Sequence, residues 1–136
     1  MTVQETLQDL NDLFSIFDNP KDKFIQLMDM AKESEGLPDS EKTEHNMIYG
    51  CTSQAWVVGD RGDNSTFIFR TESDAMIVKG LLFLIEQVFN GHSKNEILGI
   101  DGNQFLTSVG LERAISSQRT NGFSNAIHKI QTELLK

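Results

Sequence analysis

Apolar positions recur along most of the chain with a helical period. Thr2-Val3-Gln4-Glu5 has capping-box spacing, in which the Thr hydroxyl and the Glu carboxylate each satisfy a free backbone N–H. Leu7, Leu10, Phe14 and Phe17 follow at helical spacing, which predicts a first helix to about Phe17. Asn19-Pro20 restarts the chain, with Asn as N-cap and Pro at the first helical position. Phe24, Leu27, Met28 and Ala31 form the stripe of a second helix, which Gly36 and Pro38 are expected to stop.

The pattern then changes. Met47-Ile48-Tyr49, Ala55 to Val58 and Thr66 to Phe69 read as short extended runs, with a dense turn signal from Gly59 to Asn64. Three such runs with tight links predict an antiparallel meander. From Ser73-Asp74 a long segment is apolar on nearly every side as far as Phe89, as expected of a helix at the centre of a core. Ser93 and Glu96 repeat the capping-box spacing, a short helix near Asn103 to Val109 closes at Gly110, and a last helix is expected from about Thr120 to Leu135. Its stripe is Phe123, Ala126, Ile127, Ile130 and Leu134. The pattern is that of an α+β chain, a small three-stranded antiparallel sheet packed against helices. No repeat or linker divides it, so residues 1–136 are expected to form one domain.

Charge and composition narrow the function. The 136 residues carry a net charge of −8, which opposes phosphate backbones and anionic membrane surfaces, so neither nucleic acid nor membrane is an expected partner. Residues 1–46 hold 11 acidic and 4 basic side chains, so the acidity is concentrated there, either as a solvated helix face or as a dock for a basic partner. The apolar segment from Ala75 to Phe89 is interrupted by Lys79 and Glu86 and falls short of the roughly 20 residues of a membrane span. Met1 to Leu10 lacks a basic stretch followed by an apolar core, so a cytoplasmic location is expected. Arg61-Gly62-Asp63 falls in a turn where Gly and Asp are expected anyway, and there is no Gly-rich phosphate loop.

One cysteine excludes an internal disulfide, a Cys-rich zinc site and an iron–sulfur site. Cys51 stands between Gly50, which permits a sharp turn, and the hydroxyl residues Thr52 and Ser53, at the junction of two extended runs. An accessible loop thiol suits nucleophilic chemistry, and a lone cysteine also serves as a small buried hydrophobe. His45, His92 and His128 have no metal-ligand spacing and no sequence rule joins them to Cys51, so each reads as structural or solvated. Trp56 and Tyr49 read as packing for the sheet.

Three ordered segments resemble the SufE family of sulfur acceptors. Asn46-Met47-Ile48-Tyr49-Gly50-Cys51-Thr52-Ser53-Gln54-Ala55-Trp56 is similar to that family's cysteine-loop signature of Asn, an aliphatic residue, Gly-Cys, Ser, Gln and Trp. Ser73-Asp74-Ala75 followed by Ile77-Val78-Lys79-Gly80-Leu81 resembles the start of its long core helix. Ser116 to Gly122 resembles its Pro-Ser-Arg-Ser/Thr-x-Gly motif, with Ser117 and Gln118 in place of Pro-Ser and with Arg119 and Gly122 kept. The likeness runs from about Asn19 to Leu135. It implies the SufE/NifU-like α+β fold and a protein that takes sulfane sulfur from a pyridoxal-phosphate (PLP) cysteine desulfurase of the SufS or CsdA type. It also implies that the chain stimulates the desulfurase and passes the sulfur, as a persulfide, to an iron–sulfur scaffold complex. By position Cys51 is the acceptor. Gly50, Gln54, Asp74 and Arg119 shape the loop or contact the partner, and no cofactor is bound. Arg119 either stabilises the sulfur anion or anchors the last helix through a carboxylate such as Asp74, and the loop is expected to shield Cys51 at rest and extend it into the partner. Two other readings stay open: a cysteine-nucleophile enzyme that pairs Cys51 with a histidine, and a non-catalytic domain that modulates the desulfurase.

Overall fold

The computed structural model describes residues 1–50 and 53–135. Helix α1 (Val3–Ser15) begins at the expected capping box: Glu5 N–H donates to the Thr2 hydroxyl at 3.1 Å and Thr2 N–H to the Glu5 carboxylate at 2.9 Å. These bonds hold the Glu5 carboxyl below its usual value. Helix α2 (Pro20–Ala31) begins as read, with Asn19 accepting from Asp22 N–H. It ends before Gly36, because the apolar stripe stops at Ala31 and the last N–H groups, through Ser34, bond three residues back instead of four.

The sheet has strand order β1-β2-β3 and is antiparallel throughout. Strands β1 (Ala55–Arg61) and β2 (Thr66–Ser73) pair from Ala55↔Ser73 to Arg61↔Phe67. Alternation sets the two faces of β2. Phe67, Phe69, Thr71 and Ser73 point inward, and Ile68, Arg70 and Glu72 lie on the other face, more exposed. The third strand corrects the expected meander. Met47-Ile48-Tyr49 makes a single antiparallel bridge, Met47↔Trp56, and β3 (His92–Ser93) comes from the far end of the core helix. Beyond Ile48 the chain leaves the ladder, so Tyr49 has no strand to pack against. It is 64% exposed, contrary to the packing role expected of it, whereas Trp56 is buried.

Helix α3 (Met76–Phe89) packs against α2, β2 and α6 (Ser117–Lys129) and is the centre of the core, as its all-round apolarity requires. It starts two residues later than expected because Ser73 still belongs to β2. At Gly80 an added Cβ would collide with the Leu27 carbonyl, so glycine is what lets α2 and α3 approach. Five rings run through the core from Phe67 to Phe69, Phe89, Phe105 and Phe123, with successive centroids 5.0–6.3 Å apart. Burying each such ring contributes about 1.5–3 kcal/mol. Helix α4 (Lys94–Leu98) keeps its capping box, and α5 (Phe105–Ser108) is shorter than its expected range. Helix α6 begins at Ser117, capped by Ser116, and passes into a π-helical turn over Ile130–Leu134.

Candidate functional site

Cys51 and Thr52 lie outside the described residues, and with them the expected resting orientation of the thiol. The residues on either side define how the loop is carried. Ile48 N–H donates to the Ala55 carbonyl at 2.8 Å and Val57 N–H to the Asn46 carbonyl at 2.9 Å, flanking the Met47↔Trp56 bridge. These bonds tie together the residues on the two sides of positions 51 and 52. Below them, Asn46 donates its side-chain amide to the Glu41 carbonyl at 2.8 Å. Glu41 in turn receives Arg70 of β2 in a two-pronged contact of 2.6 and 2.8 Å. The guanidinium holds the Glu41 carboxyl below the ordinary range, and Glu41 and Asp60 together raise Arg70. The segment leading into the loop is thereby fixed to the sheet.

The C-terminal flank is held through both backbone groups of Gln54. Gln54 N–H donates to the Asp74 carboxylate at 3.1 Å, and Asp74 N–H donates back to the Gln54 carbonyl at 3.2 Å. The Ser73 hydroxyl donates to that same carbonyl at 2.8 Å. Next to it, the Glu72 carboxylate accepts from Lys79 Nζ at 3.0 Å and from the N–H groups of Ser73 and Leu37. Burial by itself would raise Glu72; the lysine and these two N–H groups outweigh it and hold the carboxyl below its usual value.

The N-terminal flank rests on a side chain. Asn125, on α6, donates its amide to the Tyr49 carbonyl at 3.1 Å. Gly50 has φ of +87°, and a Cβ there would run into the same Asn125 amide. A methyl group is thus disfavoured by conformation and would also require the Asn125 side chain to shift. A cleft of about 370 Å³ opens beside it, with Met47, Tyr49 and Gly50 on one wall and Asn125, His128 and Lys129 on the other. Lys129 is mostly buried and spans the cleft, donating to the His45 carbonyl at 3.0 Å and pairing with Glu133 at 3.2 Å.

The candidate residues therefore divide. Gly50, Gln54 and Asp74 belong to the loop's framework. Gln54 contributes its backbone and leaves its side chain exposed. Arg119 stands on the first turn of α6, half-buried, beside a small apolar pocket formed with Val78, Leu81, Leu82, Gly122 and Phe123. Among the described residues no ion pair includes Arg119 or Asp74, so the suggested Asp74–Arg119 anchor is not formed: Asp74 is turned to Gln54. His92 is buried and its Nδ1 meets Glu96 at 3.1 Å, which fits a structural histidine, while exposed His128 borders the cleft. Asn125 was not readable as a site residue. It is one polar position among several on α6, and nothing in the pattern shows which of them reaches back to Tyr49.

The family model and the curated relatives name one family. The model of the SufE family, described as an Fe-S metabolism associated domain, matches residues 8–134. An uncharacterized SufE-like protein of Rhizobium meliloti is 33% identical over 132 residues, covering 94% of each chain. A SufE-like protein of Synechocystis is 30% identical over 134 residues, covering 98% of this chain and 83% of that one. SufE-like protein 1 of Arabidopsis thaliana, chloroplastic/mitochondrial, is 33% identical over 129 residues, which are 95% of this chain and 34% of that protein. The solution structure of a hypothetical protein from Thermus thermophilus has the same fold, with a TM-score of 0.76 at 18% identity, covering 95% of this chain and 93% of its own.

Proposed function

The chain belongs to the SufE family, associated with iron–sulfur metabolism, and we propose that it is the sulfur acceptor of a PLP-dependent cysteine desulfurase of the SufS or CsdA type. The Cys51 thiolate attacks the outer sulfur of the desulfurase persulfide. One S–S bond forms on Cys51 as the other breaks, the desulfurase thiolate leaves, and nothing is oxidised or reduced overall. The step follows the logic of thiol–disulfide exchange, with its rate set by thiolate fraction, access and leaving group. The chain thereby stimulates the desulfurase and relays the sulfur to an iron–sulfur scaffold complex. It needs no cofactor of its own and no catalytic cycle without its partner. Residues 1–136 act as one SufE-like domain, and a reducing compartment such as the cytoplasm keeps the thiol available.

The observation that supports this reading best is the setting of the single cysteine. The residues on either side of it are tied by backbone bonds, and they are braced from the turn between β2 and α3 and from α6. The sequence has no second cysteine, so nothing within it could resolve a persulfide on Cys51. Gly50, Gln54 and Asp74 shape the loop, and Arg119 supplies positive charge to the sulfur anion or to the partner. Among the described residues no helix is long and apolar enough to cross a membrane.

The test is incubation with purified desulfurase and L-cysteine, followed by intact mass and peptide mapping. The expected result is one added sulfur atom on Cys51 and none in Cys51→Ser. Sulfur uptake by Cys51→Ser would overturn the assignment. Full stimulation of the desulfurase by Cys51→Ala would favour a modulating domain instead.

A further inference from the structure

We propose that Arg70 is a positioning residue for this transfer, acting through Asn46 to set where the chain stands as it approaches the acceptor cysteine. The inference rests on the sulfur-acceptor reading, and its site is the outer face of the sheet, where β2 meets residues 38–47. No residue from Pro38 to Met47 is fully buried, and none belongs to the core, so burial of apolar groups does little to place this stretch. Polar contacts place it instead. Arg70 stands on β2 opposite Val58 of β1 and uses three of its five N–H groups. Two grip the Glu41 carboxylate at 2.6 and 2.8 Å, and Nε reaches Asp60 at 3.0 Å. The backbone carbonyl of the same Glu41 accepts the Asn46 side-chain amide at 2.8 Å. The Asn46 carbonyl in turn accepts Val57 N–H of β1 at 2.9 Å. One chain of bonds thus runs from the middle of the sheet to Asn46, five residues before Cys51.

The shape of the guanidinium decides what it does. Three contacts made by one planar group fix Glu41 in direction as well as in distance, which a point charge does not. The Arg70 and Glu41 side chains are 34% and 28% exposed, so the pair is partly shielded from water. Lys129 of α6 holds the carbonyl of His45, the residue before Asn46, so the stretch is fixed both from the sheet and from α6. Because the core lies elsewhere, loss of Arg70 leaves the helices and the sheet in place and displaces Asn46. A slightly misplaced acceptor thiol still ionises and still meets a small electrophile. It lines up poorly with the sulfur of a docked persulfide, and orientation is what that step needs.

The experiment compares unmodified protein with Arg70→Gln, Arg70→Lys, Asn46→Ala and the double variant Arg70→Gln/Asn46→Ala. Sulfur transfer from persulfide-loaded desulfurase is timed in a single turnover at rising desulfurase concentration. Cys51 is separately alkylated with iodoacetamide across pH. The saturated transfer rate should fall about tenfold in Arg70→Gln and about fivefold in Arg70→Lys, at an unchanged half-maximal desulfurase concentration. The alkylation profile and the far-UV circular dichroism should stay as they are. Asn46→Ala should reproduce the loss, and the double variant should add less than about twofold to it, as residues on one path do. A saturated rate in Arg70→Gln within about twofold of unmodified protein would overturn the proposal. Full rescue by Arg70→Lys would do the same, since charge alone would then suffice, and Arg70→Lys decides the matter if Arg70→Gln does not fold. A shifted alkylation profile would also overturn it, by making Arg70 a determinant of thiol ionisation. Losses that multiply in the double variant would overturn the path through Asn46. Failure of the acceptor reading itself would appear separately, as unmodified protein that takes up no sulfur.

Discussion

At Gln54 both backbone groups of the loop residue are engaged, by Asp74 and by Ser73, inside a junction of β2 and α3 that also holds the Glu72–Lys79 pair. At Tyr49 one carbonyl is met by one side chain from a residue 76 positions later. The two flanks of a single short loop are thus held in different ways. At Gln54 three bonds, one between backbone groups and two from the Asp74 and Ser73 side chains, reinforce one another in a sheet corner. A lone side-chain bond at an exposed residue opens on its own. The difference is one between a junction shared with the core and a contact that can open without it.

The comparison breaks first if the fixed flank proves weak. In Lys79→Met, Glu72 keeps its two N–H donors but loses its cation in a site where the Glu72 and Lys79 side chains are 14% and 20% exposed. Removing one partner of a fully buried pair costs 3–5 kcal/mol, and partial exposure lowers this to about 2–3 kcal/mol here. The urea midpoint should fall accordingly with an unchanged slope. A loss under about 1 kcal/mol would show that the β2–α3 corner owes its order to something else.

Gly50→Ala attacks the releasable flank. A left-handed φ disfavours alanine by about 1–2 kcal/mol, and the methyl must also displace the Asn125 amide. The global cost is capped at what it takes to open this flank, so the effect falls below that of Lys79→Met and appears mainly as faster exchange over residues 49–53. In an Asn125→Ala background the same change should cost less, because the steric conflict is gone. A double-mutant cycle with no coupling would separate the two residues.

Asp74→Ala is smaller again. Its carboxylate is exposed and water can take over the Gln54 N–H, so about 1 kcal/mol or less is expected. Asp74→Asn keeps an acceptor oxygen and should restore most of it. Quickened exchange at Gln54 with none at Tyr49 would confirm that the flanks open separately.

How much of this was legible in the sequence follows from the range of the forces involved. Caps and helix stripes are local, so Thr2, Asn19, Ser93 and the apolar run of α3 announce their elements directly. The third strand was misplaced because pairing is a tertiary choice. Met47-Ile48-Tyr49 has strand-forming side chains but only one bridge partner, while the short His92-Ser93 pair finds β2 because α3 ends beside it. At the site, Gly50 and Asp74 stood out through their chemistry and their place in a motif. The role of Asp74 as a partner of Gln54, and not of Arg119, is set by the turn from β2 into α3. Asn125 gave no signal, since a polar residue on an amphipathic helix looks the same whether it faces water or a loop.

The smallest effect separates the flanks by pH. Glu86 of α3 is half-buried and accepts the Thr71 hydroxyl at 2.5 Å, on the inner side of β2. Burial raises its carboxyl above the ordinary value, and the Thr71 bond opposes this only in part. The folded protein therefore binds this proton more tightly than the unfolded chain does. Ionised Glu86 costs stability above the folded value, the cost shrinks as pH falls through it, and none is left below the ordinary glutamate pKa of about 4.3. Glu72 has the opposite sign: its depressed carboxyl contributes stability at neutral pH that is lost as pH falls through the folded value. Glu86→Gln removes the charge and keeps an oxygen for Thr71. It should stabilise the fold at pH 7 by less than about 1 kcal/mol, since a half-exposed carboxylate is partly screened. The gain should fade toward pH 4. Exchange over residues 49–53 should not follow it, because the releasable flank depends on a neutral amide and a carbonyl. A pH-dependent change there in step with Glu86 would mean that the two flanks are one cooperative unit after all.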